Sequence, residues 1–260
     1  MAYPSDVHPV MEQPRSGTMG KAWGGIATVP AGLEPLINAE YLRIKQKIEW
    51  CEACCGCETS NEYHIQTASG NLLFTAKEDS GCCTRNCCSA RRPFDMNLYD
   101  PNGRHVLKID RPYRCQSCLC PCCLQKVSVY AMPDEEMPIG MVKQQWTCRV
   151  PEFSVFDESD NKILDIDGPC CTCTCCCGCC QSAGFEINRD GEQIGRVVKE
   201  WSNLGKEALT DADTFYVTFP QQLDVKVKAT LLAAVILIDF MFFEKTKQDS
   251  DVDAPTMIDG

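Results

Sequence analysis

The residues most able to react or to bind a ligand are the 22 cysteines, most of which lie in short runs. The runs occupy residues 51–57, 82–88, 115–123 and 170–180, and Cys148 stands alone. Thiolates at C-x-x-C spacing can surround zinc, whereas clustered exposed thiols can carry palmitate. Runs this dense contain C-x-x-C by chance, so the spacing alone does not identify a zinc site. Because the first residues contain no apolar signal region, we expect a reducing, cytosolic environment in which thiols serve metal or lipid.

One run favours lipid over metal. Four of the six residues from 118 to 123 are cysteines: Cys118, Cys120, Cys122 and Cys123. A single acyl chain holds a protein weakly on a membrane and two hold it stably, which gives such clustering a physical reason. The sequence therefore predicts palmitoylation of these four residues. For the other runs it does not choose between lipid and metal.

The second candidate is an acidic segment at residues 211–222. Asp211 and Asp213 are spaced like positions 1 and 3 of a calcium-binding loop. Such a loop also needs glycine at position 6 and a bidentate acid at position 12, where this chain has Tyr216 and Gln222. Judged by this pattern alone, the segment is better described as a solvated acidic turn before a strand.

No catalytic constellation is present in the sequence. There is no nucleophile elbow, phosphate-binding loop or dinucleotide fingerprint, so we predict that the chain is not an enzyme. The net charge of −11 opposes affinity for nucleic acid, which is not expected as a partner. The same charge opposes attraction to anionic lipid headgroups. If the protein sits on a membrane, charge does not hold it there.

The elements that must position these residues are predicted to be short strands. Turn residues separate paired runs typical of β-hairpins. The predicted strands cover residues 62–67 and 72–76, 94–99 and 106–110, 126–131 and 139–147, 153–156 and 163–166, 185–187 and 194–201, and 214–219. Residues 32–50 mix apolar and charged side chains at roughly helical spacing, which predicts a short amphipathic segment instead.

The longest apolar stretch, residues 223–243, is predicted to be a helix about 30 Å long. That length suits either a bilayer or the core of a domain. Lys226, Lys228 and Asp239 would be costly in lipid, so we favour a buried core helix. A hairpin, a cysteine run and a second hairpin occur twice, about ninety residues apart, which indicates two halves of one closed structure. We therefore predict a mainly β fold, a barrel of about eleven strands around this helix.

The predicted domain boundaries follow from composition. Residues 1–30 are rich in proline, glycine and serine and are expected to be a disordered tail. Residues 31–245 form the barrel domain with its two-fold internal repeat. Residues 246–260 are expected to be a second, acidic, disordered tail.

A series of stretches from Gly32 to Lys245 resembles the phospholipid scramblase family. The stretches include CCTRNCC at 82–88, RPFDMNLYD at 92–100, RPYRCQSCLCPCCLQ at 111–125, and EALTDAD, LDVKVK and LIDFMFFE within 207–244. The resemblance implies a tubby-like fold, a barrel of about twelve strands around a C-terminal hydrophobic α-helix. It also implies palmitate on the run that begins at Cys118 and calcium binding by the segment that begins at Asp211.

The function implied by the resemblance is ATP-independent movement of phospholipids between leaflets in both directions, in response to calcium. The implied place is the cytoplasmic face of the plasma membrane, and family members are usually drawn with the C-terminal helix as a single span. The implied partner is the phospholipid membrane, and self-association into a homo-oligomer is left open. The alternatives are an S-acylated scaffold or signalling adaptor that moves no lipid, and a zinc-binding protein.

Three departures from the family pattern matter. The calcium segment usually ends in an acid, and Gln222 replaces it here, so calcium binding would need a substitute such as Asp224. The proline-rich tail is short. The segment at 195–201 is similar to a nuclear-import signal, but Glu200 interrupts its basic character, which weakens the alternative of a nuclear pool.

Overall fold

Twelve antiparallel strands of the described chain close into one barrel. The structure is a computed structural model that describes residues 29–47, 60–88, 91–114, 123–132, 137–147, 150–169, 184–200 and 213–243. The predicted tails, except for residues 29 and 30, lie outside these ranges. Each strand pairs with its neighbours in sequence, and the first strand closes the barrel by pairing with the last.

The elements, in chain order, are as follows. The strands are β1 (Tyr41–Lys47), β2 (Glu62–Gln66), β3 (Leu72–Asp79), β4 (Phe94–Tyr99), β5 (His105–Arg111), β6 (Lys126–Ala131), β7 (Met137–Gln144), β8 (Glu152–Phe156), β9 (Lys162–Asp167), β10 (Gly184–Arg189), β11 (Glu192–Glu200) and β12 (Thr214–Thr218). The helices are α1 (Cys82–Cys88), between β3 and β4, and α2 (Val225–Phe242), after β12.

The strands form because their side chains alternate between the barrel interior and its surface. In β4, Phe94, Met96 and Leu98 are buried while the residues between them are partly exposed. This period of two is the pattern that a sheet with one buried face requires. The tight turns between strands use residues that tolerate positive φ, as in the two-residue connection Asp190-Gly191.

Helix α2 runs through the interior of the barrel. Its N-cap is Asp224, whose carboxylate accepts a hydrogen bond from the Lys226 amide at 2.8 Å. From Val227 to Phe240 every residue is buried, and the helix packs most closely on β7 and β6. The prediction of a closed barrel around a hydrophobic C-terminal helix is therefore confirmed.

A glycine permits the closest approach between helix and barrel. A Cβ atom placed on Gly140 of β7 would lie 2.4 Å from Thr230 Oγ1 of α2 and 2.9 Å from the carbonyl oxygen of Phe156. Both separations are shorter than any ordinary contact. The absence of a side chain at Gly140 is therefore what lets α2 lie against β7.

The prediction of an amphipathic segment at residues 32–50 is wrong for most of the residues that the structure describes there. Residues Glu34–Leu36 form one 3-10 turn, and the chain then enters strand β1. Leu42 and Ile44 point inward, in a period of two. The tertiary context decides the outcome, because the barrel needs β1 to hydrogen-bond both β2 and β12 in order to close.

The two ends of the barrel differ. Connections from an odd-numbered strand to the next strand all leave and re-enter at one end, and they are residues 48–61, 80–93, 112–125, 145–151, 168–183 and 201–213. The remaining connections are residues 67–71, 100–104, 132–136, 157–161, 190–191 and 219–224. All 22 cysteines belong to the first set. We call that end of the barrel the cysteine end and the opposite one the short-turn end; α2 begins at the short-turn end and finishes at the cysteine end.

Candidate functional site

Helix α2 carries a lysine into the barrel at the short-turn end. Lys228 is fully buried, and its Nζ lies 2.8–2.9 Å from four backbone carbonyl oxygens, those of Leu36, Ile37, Ala39 and Gln221. An ammonium group has three protons, so the four acceptors share them. The contacts join the first turns of the helix to the segment that precedes β1.

The surroundings of this ammonium group are unusual. Among the described residues, no carboxylate forms an ion pair with it, and backbone carbonyl oxygens accept its hydrogen bonds instead. Burial lowers the pKa of Lys228 to about 8, although the more distant carboxylates of Glu40 and Asp224 act in the opposite direction. The folded chain therefore holds this proton less tightly than a solvated lysine would.

At the other end of α2, Asp239 forms a hydrogen bond with a side chain of the barrel wall. The hydroxyl of Tyr63, on β2, donates a 2.7 Å hydrogen bond to Asp239 Oδ2, and both residues are buried. An aspartate at the centre of a bilayer costs about 3 kcal/mol on insertion scales. Across the described ranges, no helix has the length and hydrophobicity needed to cross a bilayer.

A buried ion pair lies beside the last turn of α2. Arg92 Nε donates to Glu78 Oε1 at 2.6 Å, and a second nitrogen donates to Oε2 at 3.0 Å. The guanidinium also lies 4.8 Å from the centre of the Phe240 ring. Burial alone would raise the pKa of Glu78, but the hydrogen bonds and charge of Arg92, with help from Ser80 and Asn61, hold it below its usual value.

A second buried guanidinium contacts the same phenylalanine. Arg111 donates to Gln125 Oε1 from two nitrogens, at 3.1 and 2.8 Å, and its guanidinium carbon lies 5.6 Å from the rings of Phe94 and Phe240. Two cations therefore lie near the C-terminal end of a helix, where the helix dipole favours positive charge. The phenylalanine rings fix the position of that end.

Sequence reasoning missed both arginines as interior residues. One signal was available: Arg92 and Arg111 each directly precede a proline and an aromatic residue, Pro93-Phe94 and Pro112-Tyr113. Hydrophobic patterning gave no warning, because it assigns charged side chains to the surface.

The structure does not bring the predicted calcium ligands together. Asp213 directly precedes β12, where its Oδ2 forms a 2.8 Å ion pair with Lys199 Nζ. Gln222 and Asp224 follow β12 at the opposite end of the barrel, and Asp224 is occupied as the helix cap. Five extended residues, about 17 Å of chain, separate the two groups. Asp211 lies outside the described residues.

The predicted palmitoylation run is mostly outside the described residues, since only Cys123 is placed. Cys123 is half-buried and disulfide-bonded, so its sulfur would have to be reduced before it could carry an acyl chain. Its carbonyl oxygen accepts a 3.4 Å hydrogen bond from the Gln125 side chain. As for the zinc alternative, the described residues hold no group of three or more His, Cys, Asp or Glu side chains placed to bind a metal ion.

The depressed pKa of Lys228 predicts a pH dependence of stability. Its pKa falls from 10.5 to about 8 on folding, so between these values the unfolded chain binds more protons than the folded chain. The free energy of unfolding should therefore gain a rising contribution with pH across this window. Lys228→Met removes that contribution, which urea unfolding of both proteins from about pH 7.5 to 10.5 would measure. Equal pH slopes for the two proteins would contradict the assignment.

Because Asp213 and Gln222 are far apart, we predict that the residue at position 12 of the expected loop has no effect on calcium affinity. Gln222→Asp adds the missing carboxylate, yet it should leave calcium affinity unchanged, because the added group faces solvent at the wrong end of β12. Gln221→Asp is the matched control, since it adds the same charge one residue away. Calorimetric binding that tightens by about tenfold for Gln222→Asp alone would show that the ends of β12 come together.

Most of the chain is similar in sequence to known proteins. The family model described as Scramblase matches residues 19–245. The chain is 44% identical to human phospholipid scramblase 1 over 219 residues, 84% of this chain and 67% of that protein. It is also 44% identical to phospholipid scramblase 2 of Bos taurus over 220 residues, 84% of this chain and 73% of that protein.

Among solved structures, a protein of Arabidopsis thaliana aligns with 81% of this chain and over 98% of its own chain. The sequence identity is 14% and the TM-score is 0.40. The assignment rests instead on sequence, because the family model spans most of the chain and the relatives share 44% of their aligned residues with it. This chain belongs to the scramblase family.

Proposed function

We propose that the protein moves phospholipids between the two leaflets of a membrane, in both directions and without ATP. The observation that carries the proposal is the 44% identity, over 84% of this chain, to proteins named phospholipid scramblases. The proposed role is that of a lipid translocator rather than of a catalyst. The substrate is the phospholipid of the membrane on which the protein sits.

The proposed location is the cytoplasmic face of the plasma membrane, with palmitate on the four cysteines from Cys118 to Cys123 as the anchor. Acyl chains are needed because the net charge of −11 opposes binding to an anionic leaflet. Reduction of Cys123 would precede its acylation. Assembly of several copies is part of the proposal, for the reason given next.

The filled interior limits how lipid could move. A polar headgroup crossing hydrocarbon needs a hydrated route, because unsatisfied polar groups there cost several kcal/mol. In the closed barrel the interior is occupied by α2, whose residues from Val227 to Phe240 are all buried. We therefore treat the closed barrel as a resting conformation. Lipid movement would follow either release of α2 or assembly of copies around a shared path.

The described residues supply no calcium step for this mechanism. The residues expected to hold it do not fit one binding loop, because Asp213 lies at one end of β12 and Asp224 at the other. A calcium response would therefore need ligands other than this set. We derive no step of lipid movement through calcium.

A second candidate function is supported by the same buried helix. A lipidated scaffold on the cytosolic leaflet needs a stable domain and an anchor, but no path for lipid. The barrel provides hydrogen-bond partners for the two buried charged residues of α2, Lys228 and Asp239, without any membrane. The scaffold is therefore the alternative that the decisive experiment must distinguish from the translocator.

That experiment is lipid scrambling by the purified full-length chain in liposomes that contain a fluorescent phospholipid. If the protein scrambles lipid, a membrane-impermeant reductant should bleach inner-leaflet label as well as outer-leaflet label, without ATP. Measurements with and without calcium separate basal from calcium-dependent movement. Liposomes with an equal mass of bound but heat-unfolded protein serve as the control. Protein that is folded and bound, yet leaves the inner label protected in both conditions, would favour the scaffold.

A further inference from the structure

Helix α1 displays four thiols on a short exposed segment. Cys82, Cys83 and Cys87 are exposed, Cys88 is half-buried, and all four are present as thiols rather than disulfides. Cysteine is among the residue types most often buried, and an exposed thiol is a chemical liability. Four such residues within seven positions therefore need an explanation other than core packing.

The described residues show no metal site at α1. Thiolates that bind zinc must converge on a point about 2.3 Å from each sulfur. Within the described ranges, which include all of α1, no three potential ligands are arranged to hold a metal ion. Because the side chains of Cys82, Cys83 and Cys87 are exposed, a reactant from outside can reach them.

The place of α1 in the barrel connects it with a membrane anchor. It lies in the connection from β3 to β4, at the cysteine end. The predicted palmitoylation run belongs to the connection from β5 to β6, whose described residues 112–114 and 123–125 lie at the same end. Chains attached at either site would thus enter a bilayer from the same end of the barrel.

The distribution of charge favours the same orientation. Among the described residues, the short-turn connections hold six acidic residues and one basic residue: Asp100, Asp157, Glu158, Asp160, Asp190 and Asp224, with Arg104. The described parts of the connections at the cysteine end hold one acidic residue, Asp213, and four basic residues: Arg85, Arg91, Arg92 and Arg114. An anionic leaflet repels the short-turn end far more strongly than the cysteine end.

Helix α1 is also firmly connected to the barrel. Arg85 donates a 3.2 Å hydrogen bond to Ser80 Oγ and another to the Ser80 carbonyl oxygen. Ser80 Oγ in turn donates to Glu78 Oε1 at 2.6 Å, and Glu78 belongs to the buried ion pair beside Phe240 of α2. A continuous series of contacts therefore runs from the thiol-bearing helix to the end of the core helix.

We propose that Cys82, Cys83, Cys87 and Cys88 form a second S-acylation site, and that acyl chains at this site hold the cysteine end of the barrel against the bilayer. In each transfer the cysteine sulfur attacks the carbonyl carbon of a long-chain acyl-CoA. The new sulfur–carbon bond forms as the bond to the sulfur of coenzyme A breaks, and coenzyme A leaves as a thiol with the proton that the cysteine lost. The proposal rests on the membrane association in the proposed function, and not on lipid movement.

The test maps thioesters on the full-length chain isolated from cells. Existing thiols are blocked, thioesters are cleaved with hydroxylamine, and the newly released thiols are labelled. Trypsin then separates residues 78–85, with Cys82 and Cys83, from residues 86–91, with Cys87 and Cys88. We expect label that depends on hydroxylamine on at least one of these peptides. Blocked thiols on both, or a stoichiometric metal ion that is lost when the four residues become serine, would overturn the proposal.

Cell fractionation tests the anchoring role with matched variants. The first variant has serine at Cys118, Cys120, Cys122 and Cys123, and part of this protein should still be bound to membranes. The second variant has serine at these four positions and also at the four α1 cysteines. In the second variant the membrane-bound fraction should be lower by about tenfold or more. Serine at Cys51, Cys54, Cys55 and Cys57, added to the first set instead, is the control and should not produce this loss. An equal loss in the control would overturn the proposal, whatever the liposome assay shows about lipid movement.

Discussion

The structure depends on the burial of one helix that is apolar on every side. An eighteen-residue helix of this kind needs nonpolar surroundings over its whole circumference, and the twelve strands supply them. Its two buried charged residues fix its position along the barrel. Lys228 is held by four carbonyl oxygens at the short-turn end, and Asp239 is held by Tyr63 at the cysteine end. Displacing the helix into lipid would break both sets of contacts, which opposes its use as a permanent span.

This constraint shapes any account of function. The closed barrel offers headgroups no interior path, so the lipid movement proposed from family membership requires a rearrangement or an assembly of copies. The asymmetry of the barrel indicates where that would start. The cysteine end holds the described cysteines, the end of α2 and the arginines that pack on Phe240. A membrane attached there would act on the part of the barrel nearest the C-terminal turn of the core helix.

Much of the fold could be predicted because it rests on local patterns. Strands such as β4 alternate every second residue, and turn residues such as Asp190-Gly191 mark where they end. What local patterns did not show depended on distant partners. Strand β1 forms because β2 and β12 are both available, and Asp213 and Gln222 are separated because the residues between them are needed to close the barrel. Arg92 is buried because Glu78, fourteen residues earlier, neutralises it, and no local pattern in the sequence reveals that pairing.

The central claim is that α2 is an integral part of the folded barrel. Native-state hydrogen exchange on the full-length chain, in solution without membranes or detergent, tests it most directly. The account predicts that amides from Lys228 to Phe240 exchange only through global unfolding, with the same free energy of opening as amides in β4 and β6. Exchange of the helix at a clearly lower free energy, while those strands stay protected, would show that the helix separates from an intact barrel and would contradict the account.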